Sequence, residues 1–165
     1  VEEHGGRISG QSTDDGTCFQ IYFPLAAENK EVPKKSNTRE AITGQKEHVL
    51  VGDDDPQLLD LASKMLTLLG YTADSVCSGE QAVKFVKQQP VDLIVLDMLM
   101  EPGMSGYQTY REITKLYPNQ KAIIASGFSV SDDVEAAMKL GVGGFIKKPY
   151  SIDQFGQAIK GVLDS

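Results

Sequence analysis

The feature that most constrains the fold of this chain is a regular alternation of strand and helix patterns over its C-terminal part. Short apolar runs typical of buried strands lie at 48–52, 71–76, 91–96, 121–125 and 143–147. Helical patterns follow these runs, with apolar residues recurring every three or four positions. The alternation predicts a five-stranded parallel sheet with helices on both faces, because each crossover helix returns the chain to the same end of the sheet.

Capping residues mark where the predicted helices begin. Asp55 followed by Pro56 predicts a helix start with an acidic N-cap and a proline at the first helical position. Ser78 with Gln81 forms a capping-box pattern, and Ser151 precedes the last helix. The periodicity predicts two apolar helix faces, one formed by Leu58, Ala62, Met65 and Leu69 and the other by Tyr107, Tyr110, Ile113 and Tyr117.

Composition and charge exclude several classes of protein. Of the 165 residues, 41% are hydrophobic and 24% are charged, which is typical of a soluble globular domain. The net charge of −7, without a Lys/Arg cluster, argues against nucleic-acid binding. No apolar run approaches the roughly 20 residues of a membrane span, so we expect no membrane contact. The two cysteines, Cys18 and Cys77, predict neither a disulfide framework nor a cysteine zinc site. The cysteines are typical of a reduced, cytoplasmic protein, which is the expected location.

The N-terminal part of the chain has a different character. Residues 25–46 contain scattered apolar residues among Pro, Gly, Ser, Asn and many charges, which is the composition of a linker. Before them, two strand-like pieces flank the turn 12–16, whose Asp-Gly pair predicts a hairpin. Because two strands alone are only marginally stable in water, we expect residues 1–24 to be the edge of a larger domain.

Chemically distinctive side chains stand at the carboxyl ends of four predicted strands. Asp53 and Asp54 follow the first strand, Asp97 the third, Ser126 the fourth and Lys148 the fifth. The carboxyl ends of parallel strands meet at one edge of the sheet, so we expect these groups to lie together. Clustered carboxylates repel unless a cation joins them, and all-oxygen ligands suit Mg²⁺. A carboxylate in such a site can attack phosphorus, and a lysine and a hydroxyl stabilise the phosphoryl oxygens.

The motifs around these residues resemble those of the two-component receiver, or response-regulator, domain. The strings VLVGDDDP, LIVLDMLMEPGMSG, AIIASG and GFIKKPY occur in that family's order within residues 47–165. The resemblance implies a flavodoxin-like (βα)5 fold with a doubly wound, five-stranded parallel sheet. It also implies that Asp97 is the phosphoacceptor, and that a histidine kinase or a histidine phosphotransfer domain supplies the phosphoryl group.

The resemblance assigns metal ligands residue by residue. Mg²⁺ would be bound by Asp54 directly, by Asp53 largely through water, by Asp97, and by the backbone carbonyl of Leu99. Glu101 departs from the family pattern, because the family runs directly from Met to Pro where this chain has Met-Glu-Pro. The loop after Asp97 is therefore one residue longer and carries an extra carboxylate near the metal.

The remaining implied roles concern the phosphoryl group and the response to it. Ser126 and Lys148 would contact the phosphoryl oxygens, and Ser126 with Phe145 would form a switch that changes the face at 134–148 on phosphorylation. That face is the expected interface, with a homodimer as one alternative. Leu99 and Phe128 flank the site, and as apolar groups they are expected to hinder an attacking water and lengthen the life of the acyl phosphate.

The N-terminal zone has a resemblance of its own. Residues 1–24 resemble the last helix turn and final hairpin of a histidine-kinase ATP-binding domain. The order of tail, linker at 25–46 and receiver at 47–165 is that of a hybrid sensor histidine kinase. A chain that begins at Val1 rather than Met favours a fragment, with the ATP-binding parts and any membrane anchor upstream. No stand-alone kinase activity is expected.

Other functions stay open at this point. One alternative is a pseudo-receiver that only binds partners. Another is a haloacid-dehalogenase-type Mg²⁺-dependent phosphatase, which needs a second Asp where this chain has Leu99. A transcription regulator is disfavoured because no residues follow Ser165. His4 and His48 lack the acidic helical setting of phosphohistidines, so we expect both to be structural.

Overall fold

A computed structural model describes residues 5–14, 16–24, 42–127 and 132–165. The chain divides into two compact units, Val1–Lys35 and Ser36–Ser165. Within the described ranges, no helix is long and apolar enough to cross a membrane.

The first unit contains an antiparallel hairpin of β1 (Arg7–Thr13) and β2 (Gly16–Tyr22). Thr13 pairs with Gly16, so the chain reverses at the predicted turn. Directly paired residues share a face of a hairpin, and Ile8 pairs with Ile21 while Gly10 pairs with Phe19. One face of this hairpin is therefore apolar, and its large side chains are exposed.

The second unit alternates strands and helices, as predicted. Its elements are β3 (His48–Gly52), α1 (Pro56–Leu68), β4 (Thr72–Val76), α2 (Gly79–Gln88), β5 (Leu93–Asp97), α3 (Gly106–Leu116), β6 (Ala122–Ser126), α4 (Asp132–Lys139), β7 (Gly144–Lys147) and α5 (Ile152–Leu163). The sheet order is β4-β3-β5-β6-β7, and all neighbouring strands are parallel. This order confirms the predicted flavodoxin-like, doubly wound sheet.

The core has two layers, because successive strand residues point to opposite faces of the sheet. Val49 and Val51 belong to the layer under α1 and α5, whereas Leu50 between them belongs to the layer under α2, α3 and α4. Both faces are covered, which explains why the strands read as nearly continuous apolar runs. Ile42, in the predicted linker, is buried in the first layer, and Gly44 donates a backbone hydrogen bond to the carbonyl of Leu69.

Two of the predicted helix faces need correction. Of the predicted α1 face, Ala62 and Leu69 are buried and Met65 packs against the core. Leu58 is instead 38% exposed, and Leu59 and Leu66 are buried. The helix carries leucines on several sides, so periodicity alone did not determine where its buried face ends. In α3, Tyr110 and Ile113 are buried as predicted, but Tyr117 is exposed because it follows the end of the helix.

The predicted helix starts are present in the structure. Asp55 accepts a hydrogen bond from the backbone N–H of Gln57, with proline at the first position of α1. Ser78 accepts from the N–H of Gln81, but the Gln81 side chain accepts from Cys77 instead of closing a box on Ser78. Complete capping boxes occur at α5, with Ser151 and Gln154, and at α3, with Ser105 and Gln108.

Candidate functional site

Three carboxylates meet at the carboxyl edge of the sheet, as the strand ends predict. Asp53 and Asp54 follow β3, and Asp97 is the last residue of the neighbouring strand β5. Each contributes an oxygen atom to a group whose members all lie within 4.8 Å of one another. Asp53 is buried, Asp97 is partly buried and Asp54 is exposed, so the cluster opens to solvent on one side.

Lys148 joins two of these carboxylates. Its Nζ atom lies 2.6 Å from Oδ2 of Asp53 and 3.1 Å from Oδ1 of Asp97. The backbone N–H of Lys148 donates to the carbonyl of Ser126 at 2.8 Å, which holds the start of the β7–α5 loop against the end of β6. The three carboxylates and one ammonium leave two negative charges unmatched among these four groups (3 − 1 = 2).

The surroundings of Asp97 and Lys148 raise the pKa of both side chains. Burial raises the pKa of the Asp97 carboxyl; Lys148 opposes this rise, and the charge of Asp53 adds to it. For Lys148, burial favours the neutral amine, but the hydrogen bond to Asp53 and the charge of Asp97 outweigh it and raise the pKa of the ammonium. Lys148 is therefore cationic at neutral pH, and Asp97 is a carboxylate whose ionisation is made costly by its surroundings.

Backbone groups orient the acidic residues. The N–H of Asp55 donates to Oδ1 of Asp53 at 3.0 Å, and the N–H of Leu99 donates to the carboxylate of Asp97. The Asp55 side chain caps α1 instead. Of the three successive aspartates, Asp55 is thus a helix cap, and the first two belong to the cluster.

The loop between β5 and α3 is anchored at both ends. The N–H of Met98 donates to the carbonyl of Ala125 at 2.8 Å, and that of Gly106 donates to the carbonyl of Met98 at 3.0 Å. A Cβ atom at Gly106 would collide with the carbonyl oxygen of Asp97. Only glycine therefore allows α3 to begin this close to the site.

Glu101, the expected insertion in this loop, lies on its outside. Met100 is 2% exposed and packs in the core, whereas Glu101 and Pro102 are exposed. Glu101 does not belong to the carboxylate cluster found among the described residues. The Leu99 side chain is 52% exposed beside the site, and the metal-binding role of its carbonyl stays a prediction.

The residues predicted to form the switch lie on neighbouring strands. Ser126, the last residue of β6, is 3% exposed, and Phe145 of β7 is half-buried. Phe145 lines a groove of about 380 Å³ together with Val134, Glu135, Met138 and Lys139. Phe128, predicted to modulate the site, lies outside the described residues.

His48 lies away from the carboxylate cluster. The Nε2 atom of His48 lies 2.7 Å from Oδ2 of Asp74, and its ring meets Phe85 edge-on, at the opposite end of β3 from Asp53. His48 therefore joins two strands and a helix. His4 lies outside the described residues.

Two features beside the site were not predicted. A mainly apolar groove of about 340 Å³, lined by Leu58, Leu61, Ala62, Lys148, Pro149 and Tyr150, reaches the lysine of the site. Glu80, in the first turn of α2, contacts the β5–α3 loop. The groove was missed because Leu58 was predicted to lie on the buried face of α1, and Glu80 had no distinguishing motif.

Comparisons with known proteins agree with this geometry. The family model for the response regulator receiver domain matches residues 49–160. The transcriptional regulatory protein GlrR of Escherichia coli (strain K12) is 36% identical over 117 residues, which are 71% of this chain and 26% of GlrR. The sensor kinase CckA of Brucella abortus (strain 2308) is 29% identical over an alignment of 178 residues that covers 99% of this chain and 18% of CckA. This chain thus spans a small part of either relative.

A solved structure extends the comparison to three dimensions. A chain of the CheX–CheY–BeF3–Mg+2 complex from Borrelia burgdorferi is 26% identical, with a TM-score of 0.67, and the match covers 70% of this chain and 88% of that chain. With the family match over more than half of its length, this chain belongs to the response regulator receiver domain family of two-component signalling proteins.

Proposed function

We propose that residues 47–165 accept a phosphoryl group from phosphohistidine onto Asp97, with Mg²⁺, and thereby switch a partner-binding face. The observation that carries the proposal is the carboxylate cluster of Asp53, Asp54 and Asp97 with Lys148 placed across it. Phosphoryl transfer to a carboxylate requires a nucleophile and fixed positive charge, which Asp97 and Lys148 supply. The unmatched negative charge of the cluster can bind the metal cation that completes the site.

In the proposed reaction, a carboxylate oxygen of Asp97 attacks the phosphorus atom of the donor. The P–O bond forms as the P–N bond breaks, and the bonding electrons return to the imidazole ring of the donor histidine. The product on this chain is an acyl phosphate at Asp97. Lys148 and Ser126 then contact the phosphoryl oxygens, with Lys148 moving from its present carboxylate partners towards the new negative charge.

The donor set fits Mg²⁺. Asp53, Asp54 and Asp97 are oxygen ligands within one ion's reach, and we assign the carbonyl of Leu99 as a further ligand. When bound, Mg²⁺ would neutralise the carboxylates and the incoming phosphoryl oxygens. The related Borrelia burgdorferi complex contains Mg+2 and BeF3, which supports Mg²⁺ as the ion at this site.

The proposed response to phosphorylation uses Ser126 and Phe145. Ser126 would move towards the phosphoryl group, and Phe145, half-buried beside the groove on α4, would follow it. The face at 134–148 would then change its affinity for a partner. Leu99 is exposed at the mouth of the site, which supports its proposed role, with Phe128, in slowing hydrolysis.

We also propose that the chain comes from a hybrid sensor histidine kinase, with a kinase tail at 1–24, a linker at 25–46 and the receiver after it. Two observations support this arrangement. The match to the sensor kinase CckA covers 99% of this chain. The hairpin leaves Phe19 and Ile21 exposed on one apolar face, as expected for an edge that completes a larger domain. A histidine kinase or histidine phosphotransfer domain would then be the phosphodonor.

The test is the intact mass of the protein after incubation with acetyl phosphate and Mg²⁺, beside an Asp97→Asn control. One phosphoryl group added to the parent protein and none to the variant is the expected result. No added mass, together with no Mg²⁺ binding, would instead identify a pseudo-receiver that acts only by binding partners. Repeated turnover of a phosphate ester would favour the phosphatase alternative.

A further inference from the structure

The loop from Asp97 to α3 is held by a carboxylate on another helix, α2. Glu80 lies in the first turn of α2, and its Oε1 atom accepts a hydrogen bond of 3.0 Å from the backbone N–H of Met104, 24 residues further along the chain. The loop therefore has an anchor outside its own ends.

Two glycines make this contact possible. Gly103 has a φ of +139°, and a Cβ atom there would lie 2.9 and 3.0 Å from the two carboxylate oxygens of Glu80. A Cβ atom at Gly79 would collide with the hydroxyl of Thr109 and come within 3.0 Å of the Met104 backbone. The β5–α3 loop and the start of α2 can thus approach closely, because neither glycine carries a side chain.

The Glu80 carboxylate is itself fixed. Its own backbone N–H and that of Met104, with the hydroxyl of Ser78, lower the pKa of the Glu80 carboxyl. Placed at the N-terminus of α2, the charge is also favoured by the helix dipole. Glu80 is therefore an ionised and oriented acceptor, although it is exposed to solvent.

The position of the extra residue follows from the two anchors. Met100, buried in the core, holds the first half of the loop, and Glu80 holds Met104. Glu101 lies between these points and is exposed. The insertion can thus bulge into solvent while the segment next to Asp97 keeps its path.

We propose that Glu80 is a positioning residue for the phosphoacceptor site. By fixing the loop at Met104, Glu80 confines the extra residue to the solvent side, so that Leu99 keeps its place beside Asp97. The inference rests on the proposed function. Glu80 touches neither the metal nor the phosphoryl group in this scheme; it acts through the loop.

The test compares Glu80→Ala, Glu80→Gln and the matched control Asp153→Ala, another first-turn acid, on α5. Hydrogen exchange at the Met104 amide measures the anchor directly. An NMR titration of the Leu99 amide measures Mg²⁺ affinity without any reaction. Phosphorylation by acetyl phosphate at increasing Mg²⁺ then separates metal affinity from the rate at saturation.

For Glu80→Ala we expect faster hydrogen exchange at the Met104 amide. We also expect Mg²⁺ affinity to fall on the order of tenfold, which is the smaller effect typical of losing a group that supports a metal ligand. Glu80→Gln should recover about half of this loss on a logarithmic scale, because its amide oxygen still accepts the hydrogen bond at about half the strength. Asp153→Ala should match the parent protein.

The outcomes separate the two proposals. A parent protein that is phosphorylated, with Glu80→Ala equal to it in Mg²⁺ affinity, would overturn the positioning role and leave the proposed function intact. Equal losses in Glu80→Gln and Glu80→Ala would also overturn it, because the hydrogen-bond acceptor would not matter. A parent protein that neither binds Mg²⁺ nor gains mass would overturn both.

Discussion

The ammonium of Lys148 lies 2.6 Å from a carboxylate oxygen of Asp53, although the two residues are 95 positions apart in the chain. Their strands, β7 and β3, are separated in the sheet by β5 and β6. The Lys148 side chain therefore crosses the carboxyl edge of the sheet, over the strand that carries Asp97. One cation in this position offsets the repulsion between the acids of the cluster, which makes it the centre of the electrostatics of the site.

Replacing Lys148 with methionine should destabilise the protein. The change leaves Asp53 and Asp97 close together without their shared cation, at a cost of about 2 kcal/mol in the free energy of unfolding. Because Mg²⁺ would supply the missing positive charge, its addition should restore part of the loss. Urea denaturation with and without Mg²⁺ measures both effects. Lys64→Met, which removes the exposed pair with Asp60, should cost at most about 1 kcal/mol; equal losses in the two variants would contradict this prediction.

Asp97→Asn should stabilise the fold at neutral pH in the absence of Mg²⁺. Burial raises the pKa of the Asp97 carboxyl above its ordinary value of 3.8, so its ionisation costs folding free energy. The stability present below pH 3.8 is lost as the pH rises through the raised pKa, and asparagine avoids that loss. The thermal midpoint of the variant should exceed that of the parent protein at pH 7, and the difference should shrink in acid. A parent protein more stable than the variant at pH 7 would contradict the predicted stabilisation.

Gly106→Ala should disturb both stability and phosphorylation. The new methyl group would collide with the carbonyl of Asp97, and crowding of this kind costs about 1–3 kcal/mol. Displacement of Asp97 should also slow its phosphorylation by acetyl phosphate. Gly161→Ala is the matched control, because that position in α5 has open space, and it should be neutral or stabilising by about 0.4–1 kcal/mol. Chemical denaturation of the two variants measures the difference in their free energies of unfolding.

Tyr110→Phe should lower the free energy of unfolding by about 1 kcal/mol. The buried Tyr110 hydroxyl lies 3.0 Å from the carbonyl oxygen of Gly141 and 3.1 Å from that of Gln120, so it connects α3 to the turn before β7. Tyr117→Phe, at an exposed tyrosine, should change stability little. Comparable losses in both variants would show that the buried hydroxyl is not what matters.

A Leu99→Asn, Phe128→Asn double variant should shorten the life of the acyl phosphate at Asp97. Polar groups at these positions can orient a water molecule for attack, whereas apolar groups hinder it. Decay of the added mass after removal of acetyl phosphate measures the lifetime. Decay in the variant as slow as in the parent protein would reject the role given to these residues.

Much of the fold followed from patterns that act over a few residues. The caps at Asp55, Ser78 and Ser151 and the apolar strands lie where local hydrogen bonding and hydrophobic periodicity predict them. Boundaries moved by one or two residues: β5 begins at Leu93 rather than at residue 91, and it includes Asp97. The predicted α1 face was wrong at Leu58, because a helix with leucines on several sides has no unique apolar face until it packs.

The candidate site divides in the same way. The sequence by itself determined that Asp53, Asp97 and Lys148 stand at strand ends, and parallel strands bring those ends to one edge. Only the tertiary structure decided which carboxylates share the ammonium, that Asp55 caps a helix instead, and that Glu80 anchors the loop after Asp97. Local propensities depend on neighbours along the chain, whereas these contacts depend on the packing of elements that are distant in sequence.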